Sequence, residues 1–167
     1  MSRTTSASFR SAAFSSETDE VVICLLTITH ETLDQPIRLS SDPTSRISEN
    51  PLSYATVSRG ETFLFLPFEF TLPADQDDVP PRVSLNLANA DRGLIALLRG
   101  ISSPLQIKVE VVLASSLDTV EVDLPIMQLS EIDYDAQGLR ANLVIDGMQT
   151  EPFPAGQFDR GRFPGLF

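Results

Sequence analysis

His30 is the single histidine of the 167-residue chain and stands beside Glu31 at the end of the apolar run EVVICLLTITH. A histidine works as a general base when a nucleophile and an orienting carboxylate surround it. No G-x-S-x-G elbow or comparable nucleophile signature accompanies this one, so catalysis by His30 is not expected. Two carboxylate pairs are better placed, Glu121 with Asp123 and Asp133 with Asp135. Each pair is two residues apart on a predicted strand, so its members project to the same side, as two carboxylates flanking a glycosidic bond would. The stronger reading is plainer: these are the polar residues of the solvated face of half-buried strands. Asp75, Asp77 and Asp78 gather carboxylates in TLPADQDDVPP, but the D-x-D-x-D-G pattern with a distal Glu is missing and the flanking prolines stiffen the loop. Cys24, the only cysteine, lies inside VVICLLTI; it rules out an internal disulfide and a cysteine-based zinc site, and reads as core. With no G-x-x-x-x-G-K-[ST] phosphate loop either, the expectation is no catalytic residue, no cofactor and no bound metal.

The elements that would position these residues are mostly strands. TTSASFRSAAFS, with Thr or Ser at its cap and Phe9, Ala12 and Ala13 at helical spacing, predicts a short N-terminal helix. The run from 20 to 30 is continuously apolar and β-branched, which predicts a central strand buried on both faces. QPIRLSSD reads as its partner, PTSRISENPLSY as a polar loop, and FLFLPFEF as a strand that Pro67 confines to an edge or a bulge. After the proline-rich loop 71–81, RVSLNLANA alternates Val83, Leu85 and Leu87 with Ser84 and Asn86, a half-buried antiparallel strand. Asp91 caps DRGLIALLRG, predicting a second short helix ended by Gly100. From 104 to 146 the chain alternates again: Ile107, Val109 and Val111 against Lys108 and Glu110; a turn at SLDT; then Val120, Val122 and Leu124 against Glu121 and Asp123. A hairpin follows, turning at Gln137-Gly138. The sum is a mainly β fold, an antiparallel barrel or sandwich of seven or eight strands with two short helices, since a parallel α/β sheet needs long crossover helices.

The length suits one folded unit over residues 1–150, followed by an extended arm over 151–167. The arm, EPFPAGQFDRGRFPGLF, holds four of the ten phenylalanines among prolines and glycines that exclude a helix, and aromatic anchors of this kind call for a groove. Phe153, Phe158, Phe163, Pro164 and Phe167 are its candidate interface residues. Twelve basic against 23 acidic residues give a net charge of −11, which disfavours nucleic acid as a directly bound partner. The first residues lack an apolar signal core and no stretch approaches the roughly 20 apolar residues of a membrane span, so a soluble protein without membrane insertion is expected.

Four blocks carry a resemblance: SASFRSAAFSSETDEVVICLLTITHETLDQPIRLSSD, FLPFEFTLPADQDDVPPRVSLNLANADRGLIALLRG, PLQIKVEVVLASSLDTVEVDLPIMQLSEIDYDAQGLRANL and the ending EPFPAGQFDRGRFPGLF. Together they resemble a family of tailed-phage proteins encoded among tail genes, and more distantly the N-terminal part of minor tail protein L of lambda-like phages. The resemblance implies a siphophage virion protein of the tail tip, made in the host cytoplasm, forming a homotrimer or ring of β-barrel hubs between the distal tail protein and the central receptor-binding hub protein. It implies a structural adaptor without catalysis, through whose lumen DNA passes without specific binding. The cysteine-rich extension of lambda-type L proteins has no counterpart here. The alternative is a small acidic β-domain that binds or hydrolyses cell-wall carbohydrate during infection.

Overall fold

The computed structural model describes residues 5–71, 82–88, 100–101, 103–134 and 138–145. The apolar run of the sequence forms β1 (Val22–Thr29), and QPIRLSSD supplies its antiparallel neighbour β2 (Ile37–Ser40). Next come β3 (Ser45–Glu49) and β4 (Leu52–Ser58), joined through a turn that contains a cis Asn50–Pro51 peptide, then β5 (Glu61–Phe65) and β6 (Phe68–Thr71). The remaining strands are β7 (Arg82–Ala88), β8 (Gln106–Leu113), β9 (Ser116–Asp123), β10 (Met127–Tyr134) and β11 (Gly138–Ile145). All pairings are antiparallel except β2 with β5, where Leu39 and Ser40 lie beside Leu64 and Phe65.

Among the described residues these eleven strands make one mixed, open sheet ordered β3-β4-β5-β2-β1-β8-β10-β11-β7-β6, with β9 attached to β8. The mainly β class is therefore as the sequence indicates, but the closed barrel or sandwich of seven or eight strands is not. Two things account for the difference. The polar segment read as a loop is β3 and β4, whose exposed residues give no alternation to read. Pro67 does not interrupt one strand; it separates two, β5 beside β2 and β6 at the far edge. With no N–H to donate, a proline suits such a break, and its carbonyl accepts from the Ala88 N–H of β7 at 2.9 Å.

The sheet divides at β8. One edge of this strand pairs with β1 from Gln106 to Leu113; the other is shared, β9 taking Glu110–Leu113 and β10 taking Gln106 and Ile107. Two cores result. Leu26, Ile28, Leu39, Ile107 and Val109 meet Met127, Leu139, Leu143, Val83, Leu85 and Leu87 in the larger. Ile23, Leu25, Phe63 and Val112, backed by Leu117 and Val120, form the smaller. Adjacent residues of a strand point to opposite faces, and Leu25 and Leu26 are both fully buried. The strand is thus central and buried on both sides, which is what its unbroken apolar run implies. Each such leucine contributes roughly 1.5–3 kcal/mol of burial.

Helix α1 (Ala7–Phe14) is the predicted N-terminal helix, capped by Ser6, whose hydroxyl accepts the Phe9 N–H at 3.0 Å. None of its residues is buried and Phe14 is 89% exposed. No described helix is long and apolar enough to cross a membrane. Of the predicted loop 71–81 only Thr71, and of the predicted helix 91–100 only Gly100, is described, and the arm 151–167 lies outside the described residues. The turn expected at SLDT falls one step earlier, at Ala114 and Ser115; the expected hairpin is β10 with β11, whose pairing ends at Tyr134 with Leu139, and Gly138, just before it, pairs with Ala88 of β7.

Candidate functional site

Two places gather polar side chains. The first lies where β1 ends and β8 and β10 begin. Register places Thr29 opposite Gln106 and Gln106 opposite Gln128, so three uncharged polar residues stand in a row across three neighbouring strands. Together with His30, Ser103 and Pro104 they line a cleft of about 440 Å³. The Thr32 backbone N–H, which can only donate, points to His30 Nδ1 at 3.1 Å, and the Thr32 hydroxyl is 2.8 Å from the same nitrogen. Nδ1 is therefore the acceptor, and the ring proton sits on Nε2, which donates to Ser103 Oγ at 2.7 Å. A serine nucleophile needs the reverse, a histidine nitrogen that takes its proton. The arrangement binds hydrogen-bonding groups; it does not activate the serine.

The second place is the tip of the β4–β5 hairpin. Ser58 and Glu61 pair, and the two residues between them, Arg59 and Gly60, have φ of 52° and 79°, the two-residue turn with both centres left-handed. This tip reaches across to β9 and β8. Ser58 Oγ donates to the Leu117 carbonyl at 2.6 Å, and the Arg59 N–H donates to the Asp118 carboxylate. The Arg59 guanidinium grips Glu110 with both nitrogens, at 2.6 and 3.0 Å, and Lys108 Nζ adds a third contact at 2.9 Å. Glu110 is 6% exposed. Hydrogen bonds from Arg59, and then Lys108, hold its carboxyl down at about 2 against the opposing effect of burial. Lys108, raised by its bond to Glu110, also meets Asp123 at 3.3 Å. Arg38 and Glu61 form a second two-pronged pair beside this group, at 2.6 and 2.8 Å. A carboxylate held this way is neither acid nor base near neutral pH; it is a latch.

Over residues 8–158 the chain matches the family described as a domain of unknown function, DUF1833. The chain belongs to the DUF1833 family. No curated protein matches it. The DUF1833 match begins inside α1 and takes in every described strand, so the cleft and the latch both belong to the family domain.

Among the described residues of this DUF1833 chain, Glu121 and Asp123 do not form the paired site that their spacing allowed. Val120 pairs with Val112 and Val122 with Val111, leaving Glu121 as the extra residue of a bulge that breaks the alternation of β9. Glu121 is buried, and its Oε2 accepts the Ser6 N–H at 2.7 Å, tying down the start of α1; Asp123 is exposed on Lys108. Of the apolar residues read as one row, Val120 packs into the smaller core and Leu124 against the larger. Asp133 is exposed, in register with Arg140. Asp135, Asp75, Asp77, Asp78 and the arm residues Phe153, Phe158, Phe163, Pro164 and Phe167 lie outside the described residues. Cys24 is half-buried, which pushes its thiol up, and its N–H donates to Ser41 Oγ at 2.9 Å. Among the described residues no three His, Cys, Asp or Glu side chains come close enough to hold a metal ion.

Sequence reading missed the partners Ser103, Gln106 and Gln128, and missed Arg59 and Glu110. Glu110 reads in the sequence as the polar partner of Val109 and Val111 in an alternating strand; the structure buries it, and a buried carboxylate needs a cation. The glutamines carried no signal, because their meeting depends on register between strands about twenty residues apart.

Proposed function

We propose that this DUF1833 protein is a structural component of a siphophage tail tip, a non-catalytic hub or adaptor that contacts copies of itself and the proteins above and below it. The observation that carries this reading is the placement of exposed apolar side chains in two separate regions. Ile47, Leu52, Tyr54, Val57 and Leu64 are exposed on the β3–β4–β5 lobe, Leu52 at 61%; Phe14, Val21 and Val22 are exposed where α1 leads into β1. A head-to-tail ring needs two different surfaces on each subunit, one for each neighbour. Exposed apolar patches on an acidic surface are what interfaces are made from. The resemblance to tail-gene products and the aromatic arm support the same placement, with the distal tail protein and the central hub protein as neighbours. The finer fold statement, a hub that closes only when copies assemble, is supported by an open sheet whose two ends, β3 and β6, have no further strand partner among the described residues.

Electron microscopy of intact particles carrying a small tag on this protein, located with gold-labelled antibody, tests the proposal. Gold at the end of the tail distant from the head is expected. Tagged protein found free in the lysate beside unlabelled particles overturns it.

A further inference from the structure

We infer that the cleft at the ends of β1, β8 and β10 binds a stretch of an extended, neutral polysaccharide, presenting one polar side chain to each of three successive sugars. The argument begins with register. Thr29, Gln106 and Gln128 are direct cross-strand partners, so they share one face of the sheet, and adjacent strands lie about 4.8 Å apart. That spacing is comparable to the length of one pyranose along an extended β-1,4-linked chain, whereas a curved chain drifts out of step with it.

The side chains match this ligand in kind. A sugar hydroxyl both donates and accepts, and so do a threonine hydroxyl and a glutamine carboxamide; a carboxamide also pairs with the acetamido group of an N-acetylated sugar. The histidine geometry adds direction. Because His30 Nε2–H already donates to Ser103 Oγ, the serine's own proton is left to donate to a ligand oxygen. Pro104 supplies an apolar surface for the C–H face of a ring, and Glu31 at the rim accepts hydroxyl protons. The described residues lining the cleft include Glu31 and no lysine or arginine, and the chain carries a net charge of −11, so an anionic ligand would meet repulsion. The volume, about 440 Å³, falls in the range of small-molecule sites. The Asp133 side chain does not line the cleft, and the inference is one of binding, not of glycoside hydrolysis. It does not rest on the tail-tip placement: gold labelling tests that, and the purified chain suffices here.

The experiment is a titration of the ¹⁵N-labelled full chain with three trisaccharides: β-1,4-linked N-acetylglucosamine, β-1,4-linked glucose and α-1,4-linked glucose. Saturable shifts are expected at the Gln106 and Gln128 side-chain amides and at His30 and Ser103 with one or both β-1,4 sugars, half-saturating around 1 mM. Gln106→Ala, an exposed position whose truncation leaves the core intact, weakens that binding roughly five- to tenfold while the spectrum stays that of the folded protein. Silence from all three sugars overturns the inference. So does a response to the α-linked sugar equal to that of the β-linked ones, an unchanged affinity in Gln106→Ala, or shifts at these residues with a cell-wall tetrapeptide and not with sugar.

Discussion

Arg59 and Glu110 are 51 positions apart in the chain and joined by two parallel hydrogen bonds of 2.6 and 3.0 Å, the cation at the tip of one hairpin and the carboxylate in the middle of another strand. The pair ties the tip of the β4–β5 hairpin to β8, and among the described residues no strand pairing links that hairpin to β8 or β9. Replacing Arg59 by Met leaves the buried Glu110 with Lys108 alone. A buried carboxylate losing a main partner costs several kcal/mol, and the half-exposed Arg59 reduces that, so a loss of about 1–3 kcal/mol is expected. Urea unfolding followed by circular dichroism reads it as a lower midpoint at unchanged slope.

The same carboxyl sets an acid limit. Its value falls from 4.5 in the unfolded chain to about 2 in the fold, so its contribution is complete above pH 4.5 and drains away as pH drops toward 2. The contribution is on the order of 3 kcal/mol. Glu110→Gln should therefore be less stable than the parent at pH 6, with the gap closing across that window; a gap that stays constant down to pH 2 contradicts the assignment.

Gly138 begins β11 against the β7 backbone. A β-carbon there would lie 2.2 Å from the Leu87 carbonyl oxygen, so Gly138→Ala forces two paired strands apart. A cost of about 1–3 kcal/mol is expected, visible as a lowered melting temperature.

The N-terminal helix hangs on few contacts: the Ser6 cap, the Glu121 carboxylate that accepts the Ser6 N–H, and partial burial of Phe9 and Ala12. Ser6→Ala removes the cap, worth about 1 kcal/mol locally. Faster hydrogen exchange at residues 9–14 with little change in the exchange of β1 and β8 is expected.

If the protein is a non-catalytic hub, joint replacement of Asp133 and Asp135 by Asn leaves particle assembly and infectivity at parental levels. Loss of infectivity in otherwise normal particles would return these carboxylates to consideration as a glycosidase pair.

Much of the sheet is legible in the sequence because one face of each inner strand is buried. Val83, Leu85 and Leu87 alternate with polar residues and are buried as that pattern requires; β1 is apolar throughout and is covered on both sides. Legibility fails where that cause fails. β3 is an edge strand and largely exposed, the half of β4 next to it is exposed too, and the bulge opposite Val112 in β9 breaks the period of two. The cleft was invisible for a different reason. Nothing local distinguishes Gln106 or Gln128 from any exposed glutamine, and it is pairing between β1, β8 and β10 that sets them in line.

The thin attachment of the β3–β4–β5 lobe has a dynamic consequence. Among the described residues the lobe is held along its backbone by two paired positions between β2 and β5 and one bond from the Leu66 N–H to the Ser40 carbonyl, and otherwise by side chains at the seam. Such a unit can open while the eight-pair β1–β8 ladder stays closed. Amides of β4 and β5 would then exchange through a partial opening at low denaturant, and those of β1 and β8 only when the whole molecule unfolds. The protein would behave as a stable body with a hinged flap, exposing Phe63 and the smaller core each time the flap swings out.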